Sequence, residues 1–386
     1  MKLKIGVDAR VLMDKYYSGV SEYAANLLFA ILKLDSDNYY HLFYNSFNSS
    51  YLRLEKYNRL NCQIQGTRYP NKIFNYFLQK IFKYPRLDSI LGGCDIFFAP
   101  HVNFINLKKD TKFIITVHDI SFLRYPEFFS RRKNFWHKAL YLKKILKRAD
   151  KIIAVSSNTK DDLVEVLGVN EEKIEVIYSG NNYSEPIKND KNKVERYLQD
   201  HNINSRFILF VGNIEPRKNL VNLIAAYNLL RQEHQDIQDI KLVIAGAPGW
   251  KHKKIYNTWH KSPYKHDIRF LGYVSRQEKE YLYQGADIFA YPSFYEGFGF
   301  PPLEAMSFSL PVVSSNVSSL PEILGRSALL INPFKPEEIE KAMYMAITNK
   351  ELRSELISRG LRCAASFSWE KTALKYLELF KKIKEK

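Results

Sequence analysis

Two carboxylates, Glu296 and Glu304, flank seven residues that include Gly297, Phe298, Gly299, Pro301 and Pro302. Ionised carboxylates only accept hydrogen bonds, which suits them to holding the hydroxyls of a sugar. The glycines permit positive φ and let the backbone approach a ligand closely. The apolar run 286–290 before them reads as a buried strand, and the two prolines open a helix where a missing N–H costs nothing. Strand, glycine turn and helix N-terminus present free N–H groups and a partial positive charge, the setting in which a phosphate binds. A surface turn with a carboxylate on the helix dipole has the same local pattern.

A second constellation is Gly212-Asn-Ile-Glu-Pro-Arg-Lys-Asn219, at the end of the apolar run 207–211. Arg217 and Lys218 thus project beyond the carboxyl end of a strand, near the start of a helix. Adjacent cations there suit a diphosphate: Arg grips two oxygens and Lys supplies a mobile charge. An exposed basic turn is the plainer reading of the pair. His118 and Asp119 follow the apolar run 113–117 in the same way, and ligands of open parallel sheets bind beyond the carboxyl ends of strands. Gly19 lies in a third strand–loop–helix unit, with Ser18 or Ser21 as helix cap. A single glycine there is equally a tight turn.

The elements that must position these groups alternate in type. Short apolar runs at 4–8, 41–44, 95–99, 113–117, 241–246, 268–274, 286–290, 311–315 and 328–332, and those that open the stretches 151–158, 175–182 and 207–220, are separated by helical patterns, the rhythm of parallel α/β sheets. The 386 residues are enough for two domains. Composition is that of a globular chain, with 46% hydrophobic and 26% charged residues and no apolar run long enough for a membrane span. The first residues lead almost directly into a strand, so no secretory signal is expected. Cys62, Cys94 and Cys363 show neither metal-ligand spacing nor even pairing, which suggests a reducing compartment.

Charge is unevenly placed. Residues 1–150 carry 25 Lys and Arg against 12 Asp and Glu, and the other 236 carry 33 against 29. An anionic surface is therefore expected to meet the first half alone. Two segments, 71–84 and 131–148, mix lysines and arginines with Phe, Tyr and Trp at helical spacing, the composition of interfacial helices on anionic lipid. A core-facing helix with a solvated basic face shows the same pattern.

The string from Glu296 to Glu304, with Gly-Phe-Gly and Pro inside, resembles the signature of glycosyltransferase family 4, and the segment 212–219 resembles that family's second signature. The resemblance runs nearly the full length and implies the GT-B fold: two α/β Rossmann-like domains whose parallel sheets face across a cleft. It implies an acceptor-binding domain at 1–183, a linker at 184–204, a nucleotide-sugar domain at 205–366 and a last helix, 367–386, returning to the first domain. The implied reaction is retaining sugar transfer from a nucleotide diphosphate, with no cofactor and no metal. His118, Arg217, Lys218 and Glu296 would form the catalytic set, His118 facing the donor sugar and Glu296 holding its hydroxyls. Gly19, Asp119, Gly297, Phe298 and Gly299 would line the substrate, Tyr273 and Val274 would meet the nucleobase, and Glu304 the ribose.

The first domain looks most like bacterial mannosyltransferases using GDP-mannose, and UDP-sugar users share every motif named. A glycan or glycolipid acceptor would account for the basic first half, placing the protein in the cytoplasm, peripheral at the inner face of the membrane, in O-antigen or related polysaccharide assembly. A basic nucleic-acid-binding or membrane-binding protein would need neither signature, and nucleic acid is not an expected partner. A non-transferase GT-B enzyme such as a sugar-nucleotide epimerase would turn over the donor with no acceptor.

Overall fold

A computed structural model describes residues 2–13, 18–47, 54, 57, 61–71, 73–183 and 190–384, apart from the side chains of residues 76 and 78. The chain divides into two compact units. The first comprises 1–120, 132–180 and 367–386, and the second 121–131 and 181–366.

The first unit is built on an all-parallel sheet of β1 (Lys4–Asp8), β2 (Tyr39–Asn45), β3 (Cys62–Thr67), β4 (Ile96–Ala99), β5 (Lys112–Val117), β6 (Lys151–Ala154) and β7 (Ile174–Val176). Their spatial order is β3-β2-β1-β4-β5-β6-β7. The central strands are buried almost throughout, as parallel strands covered on both faces must be. The helix Gly19–Leu34 packs against the last helix, Trp369–Lys384, and the Tyr23 and Tyr376 hydroxyls meet at 2.6 Å. Thr116 Oγ1 lies 2.8 Å from the Tyr376 hydroxyl, which ties that helix to β5.

The second unit repeats the plan with β8 (Phe207–Val211), β9 (Lys241–Ala245), β10 (Ile268–Gly272), β11 (Ile288–Tyr291), β12 (Val312–Ser315) and β13 (Leu329–Ile331). Its order is β10-β9-β8-β11-β12-β13, again all parallel. Both sheets therefore reverse their winding once, between β1 and β4 and between β8 and β11. Such a switch point opens a crevice at the carboxyl ends of the two strands, because the flanking connections leave in opposite directions.

Four local features differ from the sequence expectations. β3 was not foreseen: as a largely exposed edge strand it offers little apolar signal. The stretch 184–204, expected as a linker, contains the helix Lys191–Asp200; residues 184–189 lie outside the described residues. That helix packs on Arg276–Gly285, with the Tyr197 and Tyr281 rings 5.5 Å apart. The segment 71–84 winds as a π-helix over Ile73–Phe82. The segment 131–148 breaks into two helices, Arg131–Leu140 and Leu142–Arg148, at Tyr141, whose φ is +49°.

Candidate active site

At the switch point of the second sheet, the turn after β8 and the turn after β11 are locked together by charge. Lys218 Nζ lies 2.6 Å from Glu296 Oε1 and 2.5 Å from the Tyr291 hydroxyl. The Tyr291 hydroxyl is itself 3.0 Å from Glu296 Oε1. Arg217 donates to Glu296 Oε2 at 3.2 Å, to the Tyr295 carbonyl at 3.0 Å and to Glu215 Oε1 at 3.2 Å. Two further hydrogen bonds join the same turns: Phe294 N–H donates to the Arg217 carbonyl, and the Asn219 side-chain Nδ2 donates to the Pro292 carbonyl.

Lys218, Glu215 and Glu296 are each less than 8% exposed. Burial works against ionising Glu296, but Arg217 and Lys218 outweigh it and hold the carboxyl at about 2. Burial lowers the Lys218 pKa, with Glu296 acting in the opposite direction. Two cations and two carboxylates thus share one dry space. An entering diphosphate would find cations already oriented, with no reorganisation needed at the moment of reaction.

The glycine turn depends on its residue types. Gly299 has φ +97° at the N-cap of the helix Phe300–Ser307, and a Cβ there would stand 2.7 Å from Leu320 Cδ2. Ser319 Oγ donates to the carbonyls of Glu296 and Phe298, so the turn is held from outside. The Phe298 ring is buried and lies 5.2 Å from that of Phe300. The ends of β8 and β9 also approach closely, since a Cβ on Gly246 would sit 1.9 Å from the Gly212 carbonyl oxygen.

Glu304 is set apart from that cluster and is 1% exposed. It receives Asn182 Nδ2 at 2.7 Å and the Tyr283 hydroxyl at 3.0 Å, and Lys279 Nζ lies 2.9 Å away. Burial opposes its charge, yet Lys279 and these donors keep its pKa below the ordinary value. Three of the roughly four lone-pair positions of the carboxylate are thus occupied. Tyr273 is exposed and Val274 partly so, between the turn at Gly272 (φ +74°) and the capping box Ser275–Glu278.

In the first unit, His118 directly follows β5. Its Nε2 lies 2.8 Å from the Pro100 carbonyl, so Nε2 carries the proton and Nδ1 keeps its lone pair. Burial lowers its pKa and keeps the ring neutral, despite Asp119 beside it. Tyr23 meets the ring edge-on at 4.6 Å between centroids. Gly19 is exposed at the first position of its helix, whose cap is Ser18, accepting from Ser21 N–H.

Sequence reasoning missed several partners. Tyr291 and Glu215 stood inside the strings that carry Glu296 and Arg217, and their spacing was the available signal. Lys279, Asn182 and Tyr283 lie in no motif and are brought to Glu304 only by the fold. A further polar group at the switch point of the first sheet was read merely as a strand end. There Asp8 and Arg10 form a bidentate buried pair, at 2.8 and 2.6 Å, and Arg10 reaches on to Asn75 Oδ1 and the Phe104 carbonyl. His101 lies close by, pushed down to about 4 by burial, with its Nδ1 buried and without a hydrogen-bond partner among the described residues.

A switch-point site of this kind in each of two parallel sheets defines the GT-B class of enzyme. Residues 193–362 match the model of glycosyl transferases group 1, and residues 17–185 match that of glycosyltransferase family 4. O-antigen chain mannosyltransferase B of Escherichia coli is 31% identical over 74% of this chain and 72% of its own length. The chain belongs to glycosyltransferase family 4 and is a glycosyltransferase. O-antigen chain mannosyltransferase RfbU of Salmonella typhimurium is 31% identical over 66% of this chain and 65% of that protein. The serotype-specific mannosyltransferase WbdA of Escherichia coli is 29% identical over 70% of this chain, which spans only 34% of that longer protein. Among solved structures, sucrose-phosphate synthase from Thermosynechococcus elongatus superposes with a TM-score of 0.75 at 18% identity, covering 99% of both chains. Anabaena Alr3699/HepE, in complex with UDP and glucose, gives 0.73 at 16% identity, covering 98% of this chain and 100% of that one.

Proposed function

We propose that the protein transfers mannose from GDP-mannose, with retention and without a metal ion, to a lipid-linked or polysaccharide acceptor of the O-antigen type. The observation that carries this reading is the buried Arg217–Lys218–Glu296 cluster at the carboxyl ends of β8 and β11. The names of the relatives supply mannose and the O-antigen chain. In the reaction, the bond from sugar C1 to the phosphate oxygen breaks and its electron pair leaves with the nucleoside diphosphate. The acceptor hydroxyl forms the new bond and releases its proton.

In this reading Arg217 and Lys218 neutralise the leaving diphosphate, with N–H groups of the 297–299 turn and the Gly19 loop. This is the charge that a metal supplies in other transferases. Glu296, ionised throughout the physiological range, accepts from donor-sugar hydroxyls. Glu304 takes the ribose, and Tyr273 and Val274 lie at the base. His118, neutral and with a free lone pair on Nδ1, accepts a sugar hydroxyl, and Asp119 supports it.

The acceptor is held at a membrane surface. No helix among the described residues is long and apolar enough to cross a membrane. Supporting a peripheral contact, Phe77, Ile81, Phe82, Phe135, Trp136 and Tyr141 are all exposed within the two basic segments.

A thermal-shift panel of GDP, GDP-mannose, UDP and UDP-glucose in chelator, followed by a transfer assay, tests the donor. Stabilisation by the guanosine pair and mannose transfer are expected. Stabilisation by the uridine pair alone would replace the donor with a UDP-sugar, and donor turnover with no acceptor would make the enzyme an epimerase.

A further inference from the structure

We propose that the first unit carries a pocket for one hydrocarbon chain of a phosphate-headed membrane lipid, set between the π-helical segment Ile73–Phe82 and the two helices Arg131–Leu140 and Leu142–Arg148. It deepens the membrane reading of this face and rests on it for the source of the lipid. The cavity measures about 500 Å³, within the ~300–1,000 Å³ usual for small-molecule sites.

Its floor is apolar. Phe104, Phe113, Ala139 and Leu140 are all buried, and three of them form one hydrophobic cluster. The buried polar side chain lining it, Gln79, has its amide engaged at both ends, with the Pro85 carbonyl at 2.8 Å and the Asn106 N–H at 3.1 Å. A chain of methylenes lying there would leave that amide satisfied.

The mouth is cationic. Lys83 and Lys144 are exposed there with Tyr141, Lys80 stands beside them, Arg148 is paired with Asp150 at 3.3 Å, and the described lining contains no Asp or Glu. This arrangement matches a ligand that is apolar at one end and anionic at the other. Free phosphate would have no use for the floor, and a neutral amphiphile none for the cations.

The walls are fastened rather than loosely apposed. Lys80 Nζ sits 5.9 Å over the Tyr141 ring, joining one wall to the other. Arg10 ties Asn75 of the π-helical wall to the Phe104 carbonyl of the floor. Arg148 holds the Lys108 and Thr111 carbonyls at 2.9 and 2.7 Å. Both Lys83 and Tyr141 adopt left-handed backbone conformations, with φ of +53° and +49°. Such conformations are unfavourable for side chains of this size and persist where surrounding structure holds them. Here each presents its side chain at the mouth. Phe77, Ile81 and Phe82 on the element of one wall and Phe135 and Trp136 on that of the other are exposed as well, more apolar surface than a face meeting only water has reason to carry. A bilayer source accounts for both the rim and the pocket.

The test uses octyl, decyl and dodecyl phosphate as monomers, titrated calorimetrically into the full chain, with dodecyl maltoside as the neutral control. Saturable one-to-one binding is expected, tightening roughly four-fold per added methylene, as transfer of a CH₂ predicts. Ile145→Trp, which fills the pocket from a half-buried position, and Ala139→Phe, which fills it from the floor, should each weaken dodecyl phosphate at least ten-fold. Melting curves check that both variants fold. Lys83→Glu with Lys144→Glu should weaken dodecyl phosphate far more than dodecyl maltoside. Absence of saturable binding, or affinity unchanged by both filling variants, overturns the pocket. Co-sedimentation with phosphatidylglycerol vesicles separates the two readings, because Ile145→Trp should still bind them through the basic aromatic face. Loss of vesicle binding by the wild type with dodecyl phosphate binding intact would overturn the membrane reading alone.

Discussion

The charged cluster of the second unit and the polar end of the first sheet solve opposite problems with the same topology. Around Glu296, opposite charges lie 2.6 to 3.2 Å apart, and each carries its charge because the other is present. Around His118 and His101, the two imidazoles are held neutral by burial beside the self-compensating Asp8–Arg10 pair, and a ring nitrogen of His101 has no hydrogen-bond partner among the described residues. Preformed charge suits a diphosphate whose chemistry is constant. Neutral imidazoles, which both donate and accept, suit sugar hydroxyls whose arrangement varies between substrates. On the proposed function, each switch point would serve a different class of ligand.

The comparison can be broken most severely at Glu296. Glu296→Gln removes the carboxylate from two buried or half-buried cations, and unfolding in denaturant should show a loss of about 3–5 kcal/mol, the cost of an unpaired buried charge. Loss below about 1 kcal/mol would mean that water or Glu215 takes over. Arg217→Ala should lower turnover at least about a hundredfold with smaller change in folding, the low end for removing one preorganised donor. Turnover within a few-fold of wild type would take Arg217 out of the chemistry. Gly299→Ala should cost about 1–3 kcal/mol from the left-handed backbone alone, with the Leu320 contact added. Leu320→Ala in the same chain should recover only the second part.

The first unit is probed by pH. His101 and His137 are pushed down to about 4 by burial, and His118 is lowered as well. Below pH ~6.5 the unfolded chain protonates these rings while the folded chain does not, so stability should fall as pH drops from 6.5 toward 4. The slope is at most about 1.4 kcal/mol per pH unit for each ring. Glu296 and Asp8, lowered in the folded state, begin to lose their contribution as pH falls through the ordinary carboxylate range and add to the slope at the acid end, so the histidine part is read above about pH 5. His101→Phe should flatten the slope, and an unchanged slope would assign it to other groups. The smallest effect belongs to Tyr141→Gly, which should raise stability by up to about 1 kcal/mol by relieving the left-handed backbone; a decrease would show that the ring's contact with Lys80 outweighs the strain.

Much of the second unit was legible because its site is local in sequence. Arg217 and Lys218 are adjacent, and Glu296 stands three residues before Gly299, whose φ of +97° only glycine adopts easily, so short strings carry both chemistry and geometry. The buried strands were legible because parallel strands covered on both faces are apolar throughout. β3 was not, since an edge strand with exposed Gln63 and Gln65 side chains is defined by the backbone of β2 beside it. Helical spacing in 131–148 was visible, but the break at Tyr141 was not, because nothing in a Tyr-Leu pair demands a positive φ.

Sequence by itself determined the two-domain α/β plan, the two signature turns, the glycines they need and the basic excess of the first half. All of these arise from side-chain type and short-range spacing. Only the tertiary structure decided that Tyr291 bridges Lys218 and Glu296, that Asn182, Tyr283 and Lys279 surround Glu304, and that Arg10 joins Asp8 to the wall of an apolar pocket. Those contacts join residues that are distant in the chain or lie on different turns, and their strength comes from exclusion of water, which exists only once the sheets and helices have closed around them.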